Sequence, residues 1–180
     1  MSSINIAPLN FSNEALLEKI MERLSEMFEW NVKRINLDLN PQASLNKERN
    51  QYYSTQIIAD AIKITDDIAG KIVLLCDFDL FVPVFTFIFG EAQLNGKHST
   101  VSLCRLHEEF YSGVTNDELL FERAVKEILH ELGHTFGLIH CKNWDCVMRP
   151  SLTVEEIDIK GSGFCSSCSS AIPLKGNILH

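Results

Sequence analysis

The chain has 180 residues, 46% of them hydrophobic, and its 16 Lys and Arg against 24 Asp and Glu give a formal net charge of −8. That length suffices for one core and leaves little for a second, and the negative surplus repels phosphate backbones, which argues against sequence-independent nucleic-acid binding. The N-terminal MSSINIAPLNFSNEALLEK lacks a basic region followed by an apolar block, and Asp77, Asp79 and Pro83 break the longest apolar runs; no export signal and no membrane span are expected, and the chain reads as cytoplasmic.

Ser3 to Pro8 reads as a short strand. In FSNEALLEKIMERLSEMFEW, Leu16, Leu17, Ile20, Met21, Leu24, Met27 and Phe28 share one helical face, with Ser12 or Asn13 as N-cap. Val32 to Leu39 ends in alternating Ile35, Leu37 and Leu39, the pattern of a strand with one solvated face. A polar connector, Pro41 to Asn50, reads as an exposed loop. Tyr52 to Ile68 carries helical spacing in Ile57, Ile58, Ala61 and Ile62, and Gly70 punctuates it. Three strand-like runs follow at Lys71 to Val82, Phe85 to Leu94 and Ser99 to Leu106, the last two joined by Asn95-Gly96 turn chemistry as a hairpin at a sheet edge. Asp117 to Leu138 is the longest helix candidate, capped by Asn116 or Asp117. From His140 the composition shifts to Cys, Ser, Gly and Asp. This order of elements describes an α/β or α+β domain, divided as residues 1–137 with the sheet and long helix and residues 138–180 as a small C-terminal subdomain.

The stretch HELGHTFGLIHC, His130 to Cys141, carries the chemistry. His130 and His134 lie one helical turn apart, so both imidazoles can meet one ion. Glu131 is offset by about 100° around the axis, too far to join them as a ligand but within reach of a water on the same metal. Gly137 accepts the backbone conformation that stops a helix and turns the chain, and His140 can then close the site. Three neutral imidazoles leave the fourth zinc position open, the mark of a catalytic site. His98 and His107 stand apart in polar surroundings and receive no role.

HELGHTFGLIH matches the metzincin zinc motif HExxHxxGxxH at every fixed position. Cys141 abuts His140, Cys146 follows after four residues, Val147 and Met148 come next, and CSSC ends at Cys165 and Cys168. With these additions the chain resembles the archaemetzincins, zinc peptidases that bind a second zinc through four cysteines. The resemblance implies a twisted mixed sheet with an antiparallel edge strand, a long active-site helix and a zinc-stapled C-terminal subdomain. It also implies Met148 in a tight turn beneath the catalytic zinc, packing there without ligating. The interval between Met148 and Cys165 is one residue shorter than the family pattern, and no tyrosine follows Met148 to stabilise a transition state.

Cys141, Cys146, Cys165 and Cys168 also carry a zinc reading of their own, as two close pairs able to enclose a tetrahedral ion with no open position. Such an ion would order a tail poor in apolar side chains. Two disulfides, or a redox CxxC, are the rival readings. Cys76 and Cys104 read as small buried core residues. The expected function is a zinc peptidase with two zinc ions, Glu131 as general base and an extended peptide added as a strand to the edge within Phe87 to Leu94. The rival is a catalytically idle zinc-containing module that binds peptides or proteins.

Overall fold

The computed structural model describes residues 2–176. In chain order they form β1 (Ser3–Leu9), α1 (Glu14–Met27), β2 (Asn31–Arg34), β3 (Leu45–Asn46), β4 (Gln51–Tyr53), α2 (Ser54–Ile64), β5 (Lys71–Cys76), β6 (Leu80–Phe81), β7 (Gly90–Ala92), β8 (His98–Ser102), α3 (Glu109–Ser112), α4 (Asp117–Thr135), α5 (Val154–Ile159) and α6 (Ser166–Ser169). The main sheet runs β2-β1-β5-β8-β7. Its first four strands are parallel, and β7 closes one edge antiparallel to β8.

Parallel strands covered on both faces need apolar side chains on both, and KIVLLC supplies them by alternation. Val73 and Leu75 enter the core shared with α1 and α4, whereas Ile72, Leu74 and Cys76 face α2. The helix α1 starts where the Asn13 side chain accepts the Leu16 N–H, and its buried stripe is Leu16, Leu17, Ile20, Leu24 and Met27. At α4 the Asn116 side chain accepts the Leu119 N–H at 3.0 Å, and Asp117 and Glu118 place negative charge in the first turn.

Charged residues on α4 are buried as well, which a simple amphipathic helix does not do. Arg123 meets Asp158 at 2.7 Å and Glu108 at 2.9 Å, Lys126 donates to the carbonyls of Ile157 and Asp158, and Lys160 pairs with Glu127 at 2.7 Å. These contacts fasten the tail to α4. The tail is also less poor in core-forming residues than its composition suggests, because Val147, Met148, Val154, Ile157, Phe164 and Ile172 all join the main core.

Several sequence expectations need correction. The ladder of β2 stops at Arg34, although Ile35 N–H still reaches the Ile6 carbonyl at 2.9 Å and Ile35, Leu37 and Leu39 pack on the α2 side. The connector 41–50 is structured: a 3-10 turn at Pro41–Ser44 leads into β3, and β3, β4 and β6 make a second, three-stranded sheet. The run Lys71 to Val82 divides into β5 and β6, and of Phe85 to Leu94 only Gly90–Ala92 is strand. Side chains explain that loss, since Arg49 and Gln51 take the carbonyls of Phe85 and Thr86 that a ladder would have used. The tail, to which the sequence reading assigned no elements, contains α5 and α6, with a Thr153–Glu156 capping box starting α5. Residues 177–180 of the expected C-terminal subdomain lie outside the described residues. Among the described residues no helix is long and apolar enough to cross a membrane.

Candidate metal centre

The end of α4 is fixed from three directions. Gly137 has φ +95°, and Gly137 and Leu138 N–H reach back to the His134 and Gly133 carbonyls at 2.9 and 3.0 Å, so the helix stops with its last carbonyls satisfied. Asn95 N–H, from the β7–β8 turn, adds a bond to the His134 carbonyl at 2.8 Å, and the Lys71 ammonium donates to the Thr135 carbonyl at 2.8 Å. Past this reversal, His140 returns to face α4.

The ligand atoms of His130, His134 and His140 lie within 4.8 Å of one another. His130 Nδ1 faces the Val147 carbonyl and His134 Nδ1 the Leu138 carbonyl, each at 2.8 Å. A carbonyl only accepts, so both protons sit on Nδ1 and both Nε2 atoms carry bare lone pairs. Those two Nε2 atoms are 3.1 Å apart. Without a proton between them this is no hydrogen bond, and two lone pairs held so close are mutually repulsive. The arrangement fits a cation: tetrahedral zinc with bonds of about 2.05 Å spaces its nitrogen ligands about 3.3 Å apart. Burial lowers the proton affinity of all three rings, with the nearby Lys160 charge second for His130, whose pKa is pushed down to about 2. Neutral imidazoles are the form that binds metal.

Glu131 is buried beside this group, and burial, reinforced by the charge of Glu127, raises its pKa well above the usual carboxylate range. It lies beneath the edge strand. A Cβ placed on Gly90 would come within 2.7 Å of the Glu131 side chain and 2.8 Å of the Thr100 carbonyl, so only glycine lets strand and carboxylate approach this closely. An isolated glycine in the run FTFIFGEAQL is a sequence signal for such an approach. Met148 is fully buried with its sulfur against Gly133, where a Cβ would stand 2.3 Å from Sδ. The Val147 carbonyl and the Glu127–Lys160 pair escaped sequence reading, the first because it is backbone and the second because its partners lie 33 positions apart.

The Sγ atoms of Cys141, Cys146, Cys165 and Cys168 form a second group within 4.8 Å, and all four thiols are free. Cys141 and Cys165 are 3.9 Å apart at sulfur, far from a bonded pair at about 2.05 Å and close to the roughly 3.8 Å that a tetrahedral zinc–thiolate site requires. Cys76 is buried as expected, and Cys104 is half-buried in the turn after β8. His98 departs from expectation, being buried between Thr65 and Gln93, and His107 pairs with Asp77 at 3.0 Å.

A cleft of about 660 Å³ opens over the histidines. Phe85 to Ala92 and Leu94 line its upper wall, Glu127 and Glu131 its floor beside the histidines, and Ile139, Pro150, Ser151 and Leu152 its lower wall. The β7 edge therefore runs along the cleft.

Residues 32–173 match the model of peptidase family M54. An archaemetzincin of Methanocaldococcus jannaschii is 34% identical over 173 residues, 96% of this chain and 94% of the relative, and one of Pyrococcus horikoshii is 41% identical over 126 residues, 69% and 67% of the two chains. Among solved structures, the archaemetzincin of Archaeoglobus fulgidus complexed with malonate superposes with a TM-score of 0.79 at 32% identity, covering 94% of this chain and 99% of that one. A zinc-dependent peptidase of Methanocorpusculum labreanum gives 0.84 at 30% identity, with the same coverage.

Proposed function

The chain belongs to peptidase family M54, together with the archaemetzincins, and from that membership we propose that His130, His134 and His140 hold its catalytic zinc and that Glu131 is its general base. The chain is a zinc metallopeptidase acting on peptide or protein substrates. Zinc bound at the histidines supplies a Lewis acid that acidifies water and polarises a carbonyl. The residues do the rest. Val147 and Leu138 carbonyls hold the tautomers that aim Nε2 of His130 and His134 at the ion. Glu131 takes a proton from the attacking water and delivers it to the departing amine. Gly90 and Ala92, on the open edge of β7, offer main-chain groups that can pair with an extended peptide.

A second, structural zinc is held by Cys141, Cys146, Cys165 and Cys168, for two ions in all. Its task is to hold the segment from Cys141 to Met148, which carries both the carbonyl that orients His130 and the methionine that packs under α4. The proposed division is into residues 1–137 and 138–180 as two parts of one catalytic domain; the described residues of both contribute to a common core.

The observation that carries this reading is the 3.1 Å approach of two unprotonated imidazole nitrogens next to a buried carboxylate on the cleft floor. The test is digestion of a mixed peptide library read by mass spectrometry, with and without a chelator. Chelator-sensitive cleavage is expected; an unchanged library at full zinc occupancy would overturn the assignment of Glu131 and favour an idle peptide-binding module.

A further inference from the structure

Part of the upper wall of the cleft is a lip, Phe85 to Phe89, anchored where Ile88 N–H bonds the Leu80 carbonyl at 3.0 Å. At its start Phe85, which lines the cleft, is 49% exposed. Facing it across the cleft, Ile139 and Leu152 are 71% and 69% exposed. Two walls of exposed apolar surface on either side of one site are covered only when something apolar lies between them.

The lip is held by cations from behind. Arg49 donates through Nη2 to the carbonyls of Thr86 at 2.7 Å and Phe85 at 3.0 Å, and lies 4.3 Å over the Phe81 ring. Gln51 bonds the same Thr86 carbonyl at 2.9 Å and the Asp79 carboxylate at 2.8 Å. Asp79 receives both Nε and Nη2 of Arg105 at 2.7 Å. That fork fixes the guanidinium plane 4.2 Å from the Phe87 ring. Phe87 in turn stands edge-on to Phe89, with ring centres 5.3 Å apart. The sequence placed Arg105 at the end of a strand with no role; the structure puts it behind the aromatic wall.

Charge points the same way. Among the described residues lining the cleft there is no Lys or Arg; of its three glutamates Glu127 is neutralised by the buried Lys160, which leaves Glu91 and Glu131. Away from the metal, an acidic side chain entering beside the lip meets Glu91 and no basic side chain. Resting on the peptidase reading above, we propose that the cleft selects peptides by a bulky apolar side chain packed against the Phe85–Phe89 lip, and that Arg105 is the positioning residue that holds Phe87 in that wall.

The test uses the zinc-loaded full chain and an equimolar library of decapeptides randomised at the central positions, with cleavage read by mass spectrometry. Cuts beside Leu, Ile, Met or Phe should exceed cuts beside Asp or Glu by about tenfold or more, the scale of burying one large apolar side chain. In Arg105→Met, KM for an apolar decapeptide chosen from the library should rise about three- to tenfold with kcat and zinc content kept. Phe87→Ala should flatten the preference without touching the Arg105–Asp79 pair, which separates loss of the wall from loss of folding. Wild-type cleavage indifferent to side chain, or an Arg105→Met protein with unchanged KM, overturns the proposal. If the wild type cuts nothing, the peptidase reading fails by itself. Filter capture of the same library then decides: apolar enrichment that Phe87→Ala abolishes supports the wall, and its absence in the wild type refutes it.

Discussion

The Val147 carbonyl accepts a hydrogen bond from His130 Nδ1 at 2.8 Å, and by this one contact the two candidate metal sites are joined. Val147 sits between Cys146, one of the four thiols, and Met148, whose sulfur lies on the helix that carries His130 and His134. Its own N–H is held by the Gly163 carbonyl at 2.7 Å, in the loop that leads to Cys165. Cys141 N–H closes the ring on the Met148 carbonyl at 2.9 Å. Whatever fixes the cysteines therefore also positions the carbonyl that orients His130.

Cys165→Ser tests it. The protein should fall from two zinc ions to one by elemental analysis, with a lower melting temperature. Zinc affinity at the histidines should also weaken, by about ten- to a hundredfold, because the group orienting a ligand has been loosened. Two ions retained, or a histidine site of unchanged affinity, would contradict the coupling.

Glu131→Gln keeps the shape of the side chain and removes its basicity. Both zinc ions should remain, while hydrolysis of a cleaved library peptide falls by about 10²- to 10⁴-fold. Thermal stability should hold or rise, since a carboxylate that is costly to bury has been replaced by a neutral amide. Retained turnover would remove Glu131 as the base.

What could be read in advance follows a physical pattern. The histidine motif and the cysteine pairs were legible because helix pitch and zinc geometry impose fixed intervals, and α1, α4 and β5 because burial on one or both faces imposes a period. The lip was misread as strand for an equally physical reason. Phe85, Phe87 and Phe89 alternate as strand residues do, but the carbonyls of Phe85 and Thr86 are taken by Arg49 and Gln51, more than 30 positions upstream. No local pattern announces a side chain that takes a carbonyl away from a ladder. The same holds for Lys71, read only as the start of a strand, whose ammonium closes the end of α4.

His98 gives a pH prediction independent of the metal. It is buried on β8, with Thr65 Oγ1 at 2.7 Å and Gln93 Oε1 at 2.9 Å, and burial, aided by the Lys97 charge, holds its pKa near 4, below the ordinary 6.5. Above pH 6.5 the ring is neutral in both folded and unfolded chains. As the pH falls below that value the unfolded chain takes up a proton that the folded one refuses, so stability is lost between pH 6.5 and about 4. The loss due to this group at pH 5 should be about 1–2 kcal/mol. Urea unfolding of zinc-loaded wild type and His98→Gln at pH 7 and pH 5 measures it, since the zinc-site histidines are common to both proteins. The variant should start less stable yet lose less on acidification, and equal losses would exclude His98 as the source.

Gly90→Ala tests the closeness of edge strand and base. The added methyl would stand 2.7 Å from Glu131 Cγ and Oε1 and 2.8 Å from the Thr100 carbonyl. Glu131 alone cannot relieve this by swinging away, because the Thr100 oxygen belongs to the backbone of β8, so the edge strand itself must lift. Overpacking of this kind costs about 1–3 kcal/mol. An edge displaced by a few tenths of an ångström shifts a peptide paired with it relative to the carboxylate, and misplacement near 1 Å can cost about a hundredfold in rate. The expected result is a protein that keeps both zinc ions, melts lower and hydrolyses peptides at least tenfold more slowly than wild type. Gly163→Ala is the control, because a Cβ there meets nothing within 4 Å and should change neither quantity. Full activity in Gly90→Ala would mean that the peptide does not lie along β7, and the wall that receives it would have to be sought elsewhere in the cleft.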